Sequence, residues 1–467
     1  MKVIIRADGS ERVGLGHVGR CLALAESLRK RGAEVSFLCD AEARLGIGMI
    51  NRAGLTVHTN ESAIVGADWL VVDHYGLDAA WEEKSRDRAR VLVIDDLADR
   101  PHSCDLLLDP GRAPRQMGAY DHLLPTGLPR LAGPRFALLR REFRSVRKRH
   151  APHVPPRVLV FFGSVDRGGL TEQTVDALQG LKDVIEIHAV VTSANPRQTE
   201  IAARDDVIVH EEVNDMAELL SSMDLAVGAG GVALWERCCV GLPSVVMATN
   251  DNQRPALALA EAAGAVKVIN LMELKNTLPS LLAPLLDDQQ ERQDMIRASQ
   301  NLVDGRGADR VAALMGEVIL RKTTFADARR LWVWANDPDV RKMAFTTDPI
   351  PWDGHVIWLK KKLSDPSALM FVAENKSGPM GQVRFDYDPQ EQAAMIDISL
   401  AQEARGQGWG VEVLLKSILI YLADRPETRV AAWVKKENVA SYNLFLNAGF
   451  IQDQQSSGAV RLSFSGG

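Results

Sequence analysis

Val3-Ile4-Ile5-Arg6-Ala7-Asp8-Gly9-Ser10, followed by Val13-Gly14-Leu15-Gly16-His17-Val18-Gly19-Arg20, is the stretch from which the fold can be read. A short apolar run of strand length leads into glycines placed where a strand turns into a helix. Glycine at that junction lets backbone N–H groups approach a ligand closely. The same rhythm continues outward: Val35-Ser36-Phe37-Leu38, Trp69-Leu70-Val71-Val72 and Val91-Leu92-Val93-Ile94 are further strand-length runs, with helical segments such as Cys21 to Arg31 between them. Such alternation predicts parallel sheets covered on both faces, a doubly wound α/β architecture.

Arg147 to Pro156 is basic, proline-rich and aperiodic, and reads as a linker. The pattern restarts directly after it with Arg157-Val158-Leu159-Val160-Phe161-Phe162-Gly163. Two Rossmann-like halves, 1–150 and 151–318, are therefore expected, with a ligand in the cleft between them. A third unit, 319–467, is expected from a shift in composition: six of the nine tryptophans fall there. Alternating runs at Met395–Leu400 and Val430–Val434 give it strands and an α+β character.

At 467 residues the chain exceeds what one core usually covers. Its 46% hydrophobic and 25% charged content is ordinary for a globular protein. A net charge of -6 supplies no basic field for nucleic acid, although 55 Lys and Arg leave room for local positive patches. No apolar run long enough to span a bilayer is present, so no membrane partner is expected. The apolar stretch at the N-terminus is too short for a signal-peptide core, which points to a cytoplasmic protein. Cys21, Cys39, Cys104, Cys238 and Cys239 form no CxxC or Cys/His spacing; they read as small buried hydrophobes, and no metal is expected.

His17 falls at the first strand-to-helix junction. There it is either a general base working near neutral pH or a structural histidine. Asp73-His74-Tyr75-Gly76 and Asp95-Asp96 end the strands that follow, where open parallel sheets collect functional groups. Capping explains the acids equally well, and edge packing explains Tyr75. The second half brings the glycine loops Gly163 to Gly169 and Gly228-Ala229-Gly230-Gly231, the latter opening a helix in the manner of a diphosphate site. Glu236, one turn into that helix, is placed to accept from two ribose hydroxyls, against the alternative of a solvated face. Asp251-Asn252-Gln253-Arg254 offers amide groups to the same cleft.

Taken in order, Arg6-Ala7-Asp8 with Gly14 to Arg20, Asp73 to Gly76, Asp95-Asp96 with Cys104-Asp105, Phe136 to Phe143, and Asn252-Gln253 resemble a known family over about the first 315 residues. It is the family of UDP-sugar hydrolases of pseudaminic acid biosynthesis, which act on UDP-2,4-diacetamido-2,4,6-trideoxy-β-L-altropyranose and are related to MurG-type GT-B glycosyltransferases. The resemblance implies a GT-B fold and attack of water at the anomeric carbon with inversion and loss of UDP. It implies His17, Tyr75 and Asn252 as catalytic. Arg6, Asp8, Gly14, Gly16, Arg20, Asp73, Gly163, Gly230, Gly231, Glu236 and Gln253 would bind the UDP-amino sugar. Glycine-loop amides would stabilise the departing diphosphate.

Arg405-Gly406-Gln407-Gly408-Trp409-Gly410 lies between a strand and the apolar helix Val411 to Tyr421, exposing consecutive N–H groups to a pyrophosphate. An ordinary glycine-rich turn would read the same way. Together with Asn438, Ser441 and the terminal Gly449-Phe450, however, it resembles the GNAT acetyltransferases, over about residues 320–465. That resemblance implies acetyl-CoA as co-substrate, held by Arg405, Gly406, Gln407, Gly408, Trp409, Gly410, Asn438 and Ser441. The segment Trp334 to Arg341 looks like the branch that acetylates 4-amino sugars on UDP. Where many of these enzymes carry a tyrosine acid, this chain has Phe445, so proton return would fall to Tyr442, another group or water. Asp397 is a candidate base or a structural strand carboxylate, and Trp334, Trp352 and Trp358 are core residues or sugar platforms.

The two resemblances together imply a bifunctional enzyme that acetylates the 4-amine and then hydrolyses UDP from the product. Two other classes fit the same residues. One is a GT-B glycosyltransferase with an attached acyl-CoA-binding domain; the absence of an evident hydrophobic docking patch weighs against a MurG-like role. The other is a nucleotide-sugar or CoA sensor without turnover.

Overall fold

A computed structural model describes residues 1–10, 14–147, 153–211 and 213–464. Residues 148–152 of the expected linker, and Val13, lie outside the described residues. The chain divides into two compact units, Met1–Asp309 and Arg310–Gly467.

The first unit holds two parallel sheets. The N-terminal sheet comprises β1 (Lys2–Ala7), β2 (Glu34–Leu38), β3 (Thr56–His58), β4 (Trp69–Asp73), β5 (Arg90–Ile94), β6 (Leu106–Asp109) and β7 (Arg130–Ala132), in the order β3-β2-β1-β4-β5-β6-β7. The second comprises β8 (Arg157–Phe161), β9 (Glu186–Val191), β10 (Ile208–Glu211), β11 (Leu225–Ala229), β12 (Ser244–Met247) and β13 (Lys267–Val268), in the order β10-β9-β8-β11-β12-β13. In each sheet the order reverses beside the first strand, and a crevice opens at the carboxyl ends of such strands. That rule puts the loops after β1 and β4, and after β8 and β11, at the two switch points. This is the GT-B pair expected from the sequence.

Burial explains why the strands read as continuous apolar runs. Along β8 and β11, Val158, Val160 and Val227 join one core cluster, while Leu159 and Ala226 join the cluster on the opposite face. Both faces are covered, so no polar alternation is required. Ala137, Leu139 and Phe143 pack into the second of these clusters, although they precede the linker. The first helix runs Gly16–Lys30, starting five residues before the expected Cys21. Val18, Cys21, Leu24, Ala25 and Leu28 recur at helical spacing and are all buried, so the apolar stripe extends through the first turn and carries His17 with it.

The second unit is built on a mixed sheet of β14 (Ile319–Lys322), β15 (Ala368–Asn375), β16 (Gly378–Asp388), β17 (Ala393–Leu400), β18 (Arg429–Lys435), β19 (Ile451–Gln455) and β20 (Ala459–Phe464), ordered β14-β15-β16-β17-β18-β20-β19. β17 and β18 pair in parallel only from Ala393↔Arg429 to Met395↔Ala431, although β17 runs on to Leu400 and β18 to Lys435. Beyond Met395 they splay apart. The helix Trp409–Ala423 follows β17, two residues longer at each end than expected. Trp334 and Trp358 pack against Ala328, Leu331, Leu359 and Met370, whereas Trp352 is 38% exposed.

Candidate functional site

At the switch point of the N-terminal sheet a charged group is buried around Asp73, the last residue of β4. Asp73 Oδ1 lies 2.5 Å from His17 Nδ1 and accepts from Arg20 Nη2 at 2.7 Å, while Oδ2 accepts from Arg20 Nε at 2.7 Å. Burial pushes the Asp73 carboxyl up, but Arg20 and His17 outweigh it and hold the group below the usual carboxylate range. Asp73 is thus the anchor of this cluster and caps no helix. With Nδ1–H donating to Asp73, Nε2 of His17 is left as the acceptor.

Asp96 is the second hub. It accepts from Arg20 Nη1 at 3.2 Å, from the Tyr75 hydroxyl at 3.1 Å and from Asn252 Nδ2 at 3.2 Å. Asn252 Nδ2 also reaches the Tyr75 hydroxyl at 3.2 Å. Tyr75 stands edge-on to His17, with ring centroids 4.5 Å apart. Thus His17, Arg20, Asp73 and Tyr75 from the first half meet Asn252 from the second. A crevice between the halves is lined by Arg20, Asp96, Gly231, Trp235, Asn252 and Gln253. The glycine loops also approach one another: a Cβ built on Gly14 would sit 3.7 Å from Ser164 Oγ.

Other expected residues stand elsewhere. Arg6 pairs with Asp8 at 2.7 Å and Asp40 at 2.8 Å, and His74 Nε2 lies 3.3 Å from Asp8. Asp8, Asp40 and His74 have spacing suited to a cation, which the reading of the sequence did not foresee; the Arg6 guanidinium already supplies positive charge there. Burial pushes the Asp8 carboxyl up, and hydrogen bonds from His74 and Arg6 outweigh it and hold it low. Gly16 opens the first helix, and Gly163 (φ 98°) follows β8 by two residues. The Gly230 N–H is committed to the Met247 carbonyl at 3.2 Å, and its Cα approaches Gln253 so closely that a Cβ would lie 2.9 Å from Gln253 Oε1. Gly231 (φ 73°, ψ -155°) precedes the helix Val232–Val240 in a conformation essentially confined to glycine. Glu236 is half-buried one turn into this helix, outside the crevice lined by Arg20 and Asn252, and burial pushes its carboxyl up.

In the second unit, the splay of β17 and β18 opens a cavity of about 1120 Å³. Of the eight residues expected to hold a CoA, Arg405, Gly406, Gly408, Trp409, Gly410, Asn438 and Ser441 line it. Gln407 does not: its Nε2 donates to the Glu403 carbonyl at 2.5 Å and its Oε1 accepts from Trp409 Nε1 at 3.3 Å. Gly408 (φ 82°) leads into the helix Trp409–Ala423, whose first-turn amides have no partner within the helix. Arg405 is tied to Leu400, Asp337 and Asp339. Asn438 Oδ1 accepts from Ser441 N at 3.1 Å and caps the next helix. Asp397 lines the cavity, its Oδ1 accepting from Gln382 Nε2 at 2.6 Å. Phe445 lines it as well, 3% exposed. The Tyr442 hydroxyl instead donates to Gln452 Oε1 at 3.1 Å, and Tyr442 is not part of the lining. His355, which the sequence did not single out, is buried at the cavity wall with Nε2 3.0 Å from the Ala328 carbonyl.

Residues 317–451 match the acetyltransferase (GNAT) domain model. A protein of Methanocaldococcus jannaschii, MJ1062, is 22% identical over 96% of both chains. The spore coat polysaccharide biosynthesis protein SpsG of Bacillus subtilis is 26% identical over 68% of this chain and 98% of its own. The UDP-2,4-diacetamido-2,4,6-trideoxy-β-L-altropyranose hydrolase of Campylobacter jejuni is 31% identical over 31% of this chain, a match spanning about half (53%) of that hydrolase. The C-terminal unit is therefore an acetyltransferase domain of GNAT type, and the chain carries it together with a part related to UDP-sugar enzymes. Among the described residues, no helix is long and apolar enough to cross a membrane.

Proposed function

We propose that the chain carries two consecutive reactions of pseudaminic acid biosynthesis. The second unit transfers acetyl from acetyl-CoA to the 4-amino group of a UDP-sugar. The first hydrolyses the resulting UDP-2,4-diacetamido-2,4,6-trideoxy-β-L-altropyranose to UDP and the free sugar, with inversion. The observation that carries the hydrolase reading is the buried His17–Asp73 pair, 2.5 Å apart, joined through Arg20 to a crevice to which both halves contribute.

Asp73 fixes the His17 tautomer and stabilises the imidazolium that forms, leaving Nε2 to take a proton from water. The water oxygen bonds to the anomeric carbon as the bond to the diphosphate oxygen breaks. Tyr75 and Asn252, which already share Asp96, orient water and sugar. The first-turn amides after Gly231 face the charge that develops on the leaving diphosphate, and Glu236 takes the ribose hydroxyls. In the acetyltransferase, the splayed edges of β17 and β18 offer backbone groups to an extended thioester chain, and the amides after Gly408 take its pyrophosphate. The amine nitrogen attacks the thioester carbon, its proton passes to Asp397, and the sulfur leaves as thiolate. With Phe445 lacking a hydroxyl and Tyr442 turned to Gln452, water returns the proton to sulfur.

Nuclear magnetic resonance of products from the UDP-4-amino sugar tests this. With acetyl-CoA, CoA, UDP and a free reducing sugar are expected. UDP release only in the presence of a second sugar or lipid acceptor would replace hydrolysis by glycosyl transfer. No CoA release with any amino sugar would reduce the second unit to a binding domain.

A further inference from the structure

Arg237 lies in the helix Val232–Val240, directly after the Gly228–Gly231 loop, and is only 2% exposed. Its Nη2 donates to the Ala229 carbonyl at 2.6 Å, and Nη1 lies 3.1 Å from where a Gly228 Cβ would stand. The missing side chain of Gly228 thus makes room for the guanidinium beneath the loop. Nε has no hydrogen-bond partner. Among the described residues, no carboxylate oxygen lies within 4.0 Å of this group.

The other buried arginines of these sites are neutralised. Arg20 sits on Asp73 and Asp96, and Arg6 on Asp8 and Asp40. Burial pushes the Arg237 guanidinium down to about 10, so it still carries its charge at neutral pH. Glu236, next to it in the chain, attracts it at longer range, but a buried cation with no carboxylate in contact is still costly to keep. An apolar side chain would pack between β11 and this helix without that cost, so the charge needs a compensating partner. Its hydrogen bond to Ala229 ties it to the glycine loop, where the helix N-terminus adds potential of the same sign.

We propose that Arg237 is the countercharge for the diphosphate of the bound nucleotide, its field acting on an anion held at the Gly231–Val232 amides above it. This rests on the reading of the first unit as a UDP-sugar enzyme. Arg237 acts through the loop and touches no reacting atom, which makes it a positioning residue. In a water-poor interior its charge is felt over several ångströms, whereas a surface lysine at that distance would be screened.

The test is calorimetric titration of the full chain with uridine, UMP and UDP, comparing wild type with Arg237→Met, Arg237→Gln and Arg237→Lys. The Met and Gln variants are expected to weaken UDP at least about tenfold and uridine less than about twofold; Lys is expected to stay within about threefold for UDP. The unliganded Met variant is expected to melt no lower than wild type, with a smaller upward shift on adding UDP. Equal weakening of uridine and UDP would mark a merely structural role and overturn the proposal, as would UDP binding unchanged in both uncharged variants. Wild type binding none of the three would overturn the UDP reading itself and the proposal with it.

Discussion

His17 owes its chemistry to one neighbour. Because Asp73 holds Nδ1, Nε2 is left free to accept a proton. His17→Ala is expected to lower the rate of UDP release by about 10²–10⁴ while leaving CoA release unchanged, both read on the same preparation. Asp73→Asn has a second consequence, because it leaves the buried Arg20 with Asp96 as its one carboxylate partner among the described residues. A loss of about 1–3 kcal/mol in urea unfolding at neutral pH is expected from the weakened charge-assisted hydrogen bonds. The pH dependence follows from the lowered Asp73 pKa. Its stabilisation is complete above the unfolded value of about 3.9 and is lost as pH falls further towards the depressed folded value, so the variant should lose stability less steeply in acid than wild type. In the other unit the Tyr442 hydroxyl is engaged by Gln452 outside the cavity lining. Tyr442→Phe is therefore expected to leave the CoA-release rate within about twofold; a loss of about tenfold or more would assign it the proton return.

Elements matter through the ends of strands. At the ends of β5 and β6, Asp95 and Asp109 both accept from the buried Tyr120 hydroxyl, at 2.9 and 3.0 Å. His102 lies between Glu82, 2.8 Å from Nδ1, and Asp95, 3.8 Å from Nε2. Burial lowers the His102 pKa, but the carboxylates of Asp95 and Glu82 prevail and raise it to about 9. A raised histidine stabilises fully below its unfolded value of about 6.5, and that contribution disappears as pH climbs through 9. Burial likewise raises Asp109 to about 6, so its share is complete below about 3.9 and gone above 6. Denaturant midpoints should therefore decline between about pH 6.5 and 9, and His102→Gln should flatten that decline. At the mouth of the second sheet, Gly231→Ala forces an alanine into a conformation essentially reserved for glycine. A loss of about 1–3 kcal/mol and weaker UDP binding are expected, read by urea unfolding and calorimetry.

At the scale of the whole molecule, the chain is two compact units, each with a core of its own. Scanning calorimetry is expected to resolve two transitions, with acetyl-CoA raising one and UDP the other by mass action. A single transition moved by both ligands would contradict that independence. The strands were legible in the chain because burial on both faces needs unbroken apolar runs, as in Leu70-Val71-Val72, and because glycine marks the turns that follow them. The turn before the helix Trp409–Ala423 was legible for the same local reason: Gly406 and Gly408 both take positive φ beside an apolar helix. What separation along the chain hides was decided by the tertiary structure. Asn252 reaches Tyr75 across 177 positions, Asp96 gathers three side chains from both halves, and Arg237 is buried with no carboxylate in contact among the described residues although Glu236 adjoins it in the chain. Local sequence sets backbone preference and which face is apolar. Pairing of charges depends on distances in space, which exist only once the sheets have brought their carboxyl ends together.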